Sequence, residues 1–279
     1  MTRWTMTPTF RFATAKRNAA AKRNAAVRAA LCGIAALGTF ATYSDGASGK
    51  ETARSAAQGT HQQMSGYHME TIHGWTVYVS DQLRIESPKK TAAALHLLSD
   101  QLQLAKDRLP PSVVQQLRRV PIWLSPPYKG TGPKGEYHPG KRWLVENGRR
   151  PELHRAIEFT NVAIFEREID RMPVMVLHEL AHAYHDQVLG FDQPEVKSLF
   201  DAAKQSGRYD KVLRSDGRRV KAYAISNERE YFAETSEAFF GRNDFFPFNR
   251  NDLAEYDPRM EALLARLWNV APEQPVDSP

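Results

Sequence analysis

Apolar residues change their period several times along the chain, and each change marks an element. "GWTVYVS" (residues 74–80) is rich in β-branched and aromatic residues and predicts a strand. Next comes "SPKKTAAALHLLSDQLQLAKDRL", with Ser87 as N-cap, Pro88 at the first helical position, and Leu95, Leu98, Leu102 and Leu104 at near-helical spacing. It predicts a packing helix. "VPIWLS" (120–125) predicts a short strand, "PPYKGTGPKGEYHPG" a Pro/Gly-rich loop, and "AIEFTNVAIF" (156–165) another strand. A helix over about 172–188 follows, then the stretch "EVKSLFDAAKQS", a hairpin about Asp216-Gly217, and helices near 228–240 and 258–268. No repeat of solenoid length is visible.

Before residue 70 the pattern is different. A cationic stretch leads into the uncharged run "AALCGIAALGTFA" (29–41), the layout of a secretory signal and too short to span a bilayer comfortably. Cleavage after Ala41 or Gly46 suits the small residues there; an uncleaved anchor or a start at Met6 are the other readings, and a cytosolic protein with a basic tail is the competing class. The tandem "AKRNAAAKRNAA" reads as a duplication inside a discarded segment. Residues 42–69 are small and polar without periodicity, a tether. The expected division is a signal peptide or anchor over 1–46, a flexible linker over 47–69, one domain over 70–270 and a tail over 271–279.

Charge follows the same boundary. The net charge is +6, but seven of the 38 Lys/Arg and only one of the 32 Asp/Glu, Asp45, fall in residues 1–47, leaving 31 of each beyond it. The basicity belongs to the leader, so no nucleic-acid partner is expected, and no stable membrane span in the mature form. The single cysteine, Cys32, sits in the apolar run, which excludes disulfides, cysteine proteases and Cys-type zinc sites from the mature domain.

The candidate chemistry lies in "VLHELAHAY" (176–184). Positions four apart share a helix face, so His178 and His182 can aim their imidazoles at one metal ion while Glu179 points to the side where an activated water would sit. Val174, Met175, Leu177 and Ala181 are apolar, as a core helix requires, and a buried His-Glu-His face without a metal is costly. The competing reading is an ordinary amphipathic helix carrying core or surface histidines. A catalytic zinc needs three protein ligands and an open position. A third histidine six residues after His182 would stand at position 188, which is Val188; His185 falls about 60° off the histidine face and is assigned to the surface or to Asp186, with ligation the lesser alternative. "YAISNEREYFAETSEAFF" (223–240) supplies carboxylates instead. Asn227 can cap a helix bearing Glu230, Glu234 and Glu237 among aromatics. Of Glu230 and Glu234, one turn apart, one carboxylate could bind zinc and the other accept from the far nitrogen of a ligand histidine. Glu228 and Glu237 read as a solvated face, and the same reading competes for Glu230.

"HELAH", followed 48 residues after His182 by Glu230, with Tyr223 seven residues before that glutamate and Glu234 four after it, resembles the gluzincin branch of zinc metallopeptidases. In particular it is similar to the catalytic domain of anthrax lethal factor and its bacterial relatives, through a "Y-x-x-x-N-x-x-E-(Y/F)-F-A-E" segment that Tyr223, Asn227, Glu230, Tyr231, Phe232, Ala233 and Glu234 match. The resemblance covers about residues 156–240. It implies an α+β, zincin-like metallopeptidase domain with a small mixed sheet packed on the motif helix and further helices. It implies Zn2+ on His178, His182 and Glu230, Glu179 as general base for attack of water on a peptide bond, Tyr223 as hydroxyl donor to the developing oxyanion, and Glu234 outside the ligand set. No substrate-docking module is visible before residue 156, so the substrate class extends only to a peptide or protein. An exported, non-catalytic module stabilised by zinc, or a zinc hydrolase of a non-peptide bond, are the alternatives.

Four further features are weaker signals. The strand at 156–165 either pairs with an extended substrate at a sheet edge or is internal. His138 either reaches the cleft or is an exposed loop residue, and "FFGRNDFFPF" (239–248) lines a specificity pocket or builds core. Arg214, Arg218, Arg219 and Lys221 read as a solvated hairpin.

Overall fold

A computed structural model describes residues 64–270; the predicted leader, residues 47–63 of the linker and the tail lie outside the described residues. In chain order the elements are β1 (Tyr67–Ile72), β2 (Trp75–Ser80), α1 (Asp81–Glu86), α2 (Pro88–Arg108), α3 (Pro111–Leu117), β3 (Ile122–Leu124), β4 (Gly135–Tyr137), α4 (Lys141–Glu146) and β5 (Ile157–Phe159). Then follow α5 (Phe165–Arg171), α6 (Met175–Tyr184), α7 (Pro194–Ser206), β6 (Val212–Leu213), β7 (Arg219–Val220), α8 (Glu228–Phe240), α9 (Arg250–Tyr256) and α10 (Pro258–Leu267). The class is mixed α+β with a small mixed sheet.

Five strands form the main sheet in the order β1-β2-β3-β5-β4. The three inner strands run parallel, joined through helices as parallel pairing demands, while β1 and β4 run antiparallel at the two edges. The β1–β2 turn uses His73 and Gly74, both at positive φ (49° and 91°), as tight hairpin turns matching strand twist require. Strand alternation then sorts the faces. Val77, Val79, Ile122, Leu124, Ile157 and Phe159 belong to the main core with α2, α6 and α8, whereas Tyr78 and Trp123 pack in a second cluster with Leu144, Leu153 and Ala156. The motif helix α6 is buried along all ten residues. No helix among the described residues is long and apolar enough to cross a membrane.

Three differences from the sequence reading have physical causes. β1 begins at Tyr67, inside the predicted linker, because Tyr67 packs edge-on against Trp123 at 4.7 Å between ring centres. The predicted strand over 156–165 is a strand only over Ile157–Phe159; Val162–Ile164 form a 3-10 turn and α5 starts at Phe165. Its apolar run reflects burial between sheet and helices, which a strand and an irregular segment satisfy equally. That strand is also internal, and the edge nearest the motif helix is β4, which sits in the stretch read as a Pro/Gly-rich loop.

Candidate metal centre

Two helices bring the site together. α6 follows Pro173, whose carbonyl accepts from the Gln101 amide at 2.8 Å, and it passes into a π-helical turn over His185–Leu189 that Gly190 ends at φ +79°. α8 is started by Asn227, whose side-chain oxygen accepts from the backbone N–H groups of Arg229 and Glu230 at 3.0 and 3.1 Å. Glu230 therefore lies in the first turn of α8, where the helix dipole favours a carboxylate.

His178 Nε2, His182 Nε2 and Glu230 Oε2 form a nearly regular triangle. The two nitrogens are 3.1 Å apart, and each is 3.3 Å from the carboxylate oxygen. Ligands at the usual zinc distances of about 2.0–2.1 Å in a tetrahedron stand about 3.3 Å from one another, so the three atoms fit three corners of such a site. The chemistry of the donors agrees. His178 Nδ1 meets Glu237 Oε1 at 2.7 Å, and a neutral imidazole donating from Nδ1 presents a lone pair at Nε2. Glu230 Oε2 is buried and has no hydrogen-bond partner among the described residues. With both imidazoles neutral, lone pairs converging on one point repel unless a cation, a proton or a metal ion, lies between them.

The carboxylates around the triangle differ by environment. Burial would raise Glu230, but the contacts with His178 and His182 outweigh it and hold the group well below the usual range. Burial pulls His178 down, yet the carboxylates of Glu230 and Glu237 hold its proton affinity well above the ordinary value. Glu234 is buried and forms no hydrogen bond among the described residues, and burial together with the Glu237 charge pushes its pKa well up. The group on the far nitrogen of His178 is thus Glu237, read from sequence as solvated, and not Glu234; Glu237 is fully buried. Its position seven residues after Glu230 puts it on the same helix face, a signal present in the sequence.

A cleft of about 560 Å³ opens over the triangle, lined by β4, Glu179, Glu230, Tyr223 and Arg214. Glu179 Oε2 accepts the Tyr137 backbone N–H at 2.8 Å. Tyr223 stands half-exposed on the rim; burial and the Glu230 charge raise its pKa, so the hydroxyl stays a donor. Glu234 and Phe245 also line the cleft, whereas Phe239 and Phe240 are core.

Several sequence expectations change here. His185 is neither on the surface nor on Asp186: it is fully buried against Phe191 and Phe232, and neither ring nitrogen has a partner among the described residues. Burial, then the neighbouring His182 charge, lowers its pKa to about 4. His138 is buried under the sheet, 3.1 Å from Glu158. Arg214 is no solvated hairpin residue, since it grips the buried Asp244 at 3.0 Å. No protein-family model matches the chain, and comparison with curated proteins and with solved structures gives no match.

Proposed function

We propose that this chain is a zinc-dependent peptidase with a zincin-like domain, exported by its leader. The observation that carries the reading is the triangle of His178, His182 and Glu230 beside Glu179 at the bottom of an open cleft. His178, His182 and Glu230 would hold the ion, with Glu237 fixing the tautomer of His178. Zinc, when bound, supplies Lewis acidity, polarising a carbonyl and making water acidic enough to lose a proton near neutral pH. Glu179 takes the proton of the attacking water and returns it to the leaving amine. Its Oε2 is tied to Tyr137, which leaves Oε1 for that transfer. The Tyr223 hydroxyl, protonated and unbonded within the described chain, donates to the oxygen on which charge develops. β4, an edge strand lining the cleft, offers main-chain groups to an extended peptide.

Metal analysis and a peptide-library digest of the purified chain test the reading. The expectation is one zinc per chain and cleavage that falls about 10²- to 10⁴-fold in Glu179→Gln with zinc retained. Tyr223→Phe should lower kcat about 10²- to 10³-fold with KM little changed. A digest returning no cleavage, or a Glu179→Gln variant as active as the wild type, overturns the proposal.

A further inference from the structure

Among the described residues the Glu179 carboxylate makes one hydrogen bond, to β4, and β4 is only three residues long, paired to β5 on one side. Backbone bonds of Lys134 to Thr160 and of His138 to Ala156 and Arg155 continue its pairing with β5, whereas its outer edge has no strand partner among the described residues. A Cβ at Gly135 would lie 2.8 Å from the Phe159 ring and 3.5 Å from Glu179 Oε1, so the strand runs close over the carboxylate. Small slips of β4 therefore move the group that would abstract the proton.

Tyr137 attaches to the motif helix at two points. Its backbone N–H reaches Glu179, and its ring hydroxyl donates to Asp186 Oδ2 at 2.7 Å. Glu179 and Asp186 are seven residues apart, close to two turns, and share one helix face. The hydroxyl also accepts from the Gln187 amide at 3.0 Å, and Arg155 lies 3.5 Å from Asp186, so the second anchor is itself held. On the opposite face of the strand Glu136 meets Arg149 at 3.2 Å.

We infer that Tyr137 is a positioning residue for Glu179: its bond to Asp186 locks β4 in one register on the motif helix and so keeps the Tyr137 N–H on Glu179 Oε2, with Oε1 turned to the cleft. This rests on the reading of Glu179 as the base. Burial, followed by the Asp186 carboxylate, keeps the Tyr137 hydroxyl protonated and hence a donor to Asp186.

The test compares wild type, Tyr137→Phe, Asp186→Asn and the double variant as zinc-loaded full chains. Each single change should lower kcat about tenfold or more on a peptide the wild type cleaves, with KM moved less than about twofold and zinc content unchanged. The double variant should be no slower than the slower single, because both remove one bond. Amide exchange at Tyr137 should speed up in all three. Unchanged kcat, losses that multiply, or unaltered exchange at Tyr137 would each overturn the inference. If the wild type cleaves nothing, the peptidase reading fails by itself, while exchange at Tyr137 still decides whether the lock exists.

Discussion

Beneath the sheet, Glu158 is buried as Glu234 and Glu237 are at the candidate metal centre, and like Glu237 it sits against a histidine. There the resemblance ends. Glu158 Oε1 accepts from the Tyr128 hydroxyl at 2.9 Å, and Oε2 is 3.1 Å from both His138 and Arg149. Burial would raise its pKa, but hydrogen bonds led by His138 hold it below the usual range, and no oxygen is left over. At the candidate metal centre, histidine and glutamate leave Oε2 of Glu230, Glu234 and Glu237 without hydrogen-bond partners among the described residues, and two imidazoles meet one carboxylate at 3.3 Å at the bottom of a cleft. A closed network needs nothing more; an open one, with lone pairs converging, asks for a ligand.

The largest expected effect tests the closed network. Glu158→Ala strips the buried His138 and the Tyr128 hydroxyl of their acceptor and leaves Arg149 with Glu136 as its remaining carboxylate, and should cost about 3–5 kcal/mol. For a domain of this size that lowers Tm by about 6–20 °C. Zinc content should stay at one per chain. Glu230→Gln should do the reverse, folding normally while losing its zinc. Calorimetry with metal analysis reads both, and a Glu230→Gln protein that keeps its zinc would erase the contrast.

His185 breaks a simpler version of the comparison, in which any unpartnered buried atom marks a site. Both its nitrogens lack partners, yet phenylalanines enclose it and no second donor set converges there. Its consequence is on stability. With the folded-state value lowered from 6.5 to about 4, the native state refuses a proton that the unfolded chain accepts. Stability from this group is complete above about pH 6.5 and falls by about 1.4 kcal/mol per pH unit toward pH 4, some 3 kcal/mol in all. His185→Leu lacks that proton site, so its Tm advantage over the wild type should widen as pH drops through this window. A gap that stays constant from pH 7 to 4 would show that His185 carries no such penalty.

What could be read in the chain divides along local and long-range signals. The bounds of α8 and its Asn227 cap, and strands β2 and β3, follow from periodicity and caps, which nearby residues determine; α2 starts at Pro88 as expected, although the Ser87 side chain makes no capping bond. β4 was illegible because "GEY" becomes a strand only through its pairing with β5. Glu237 and His138 were misplaced for a related reason: a polar side chain looks the same in sequence whether water or a buried partner satisfies it. Glu237 reaches His178 from 59 residues away, and which of two buried glutamates three apart meets the imidazole depends on how α8 is rolled against α6.

That roll sets the smallest and sharpest contrast, between two neighbours on one helix. Glu237 bonds His178, so Glu237→Gln should weaken zinc binding about 10- to 100-fold while the three ligands remain. Glu234 makes no hydrogen bond, and burial with the Glu237 charge favours its neutral form, which an amide resembles in charge and shape. Glu234→Gln should therefore leave zinc affinity within about twofold of the wild type. Competition against a chelator of known affinity separates the outcomes. If Glu234→Gln is the variant that loses zinc, the histidine is oriented by the other carboxylate and the assignment of the far-nitrogen partner is wrong.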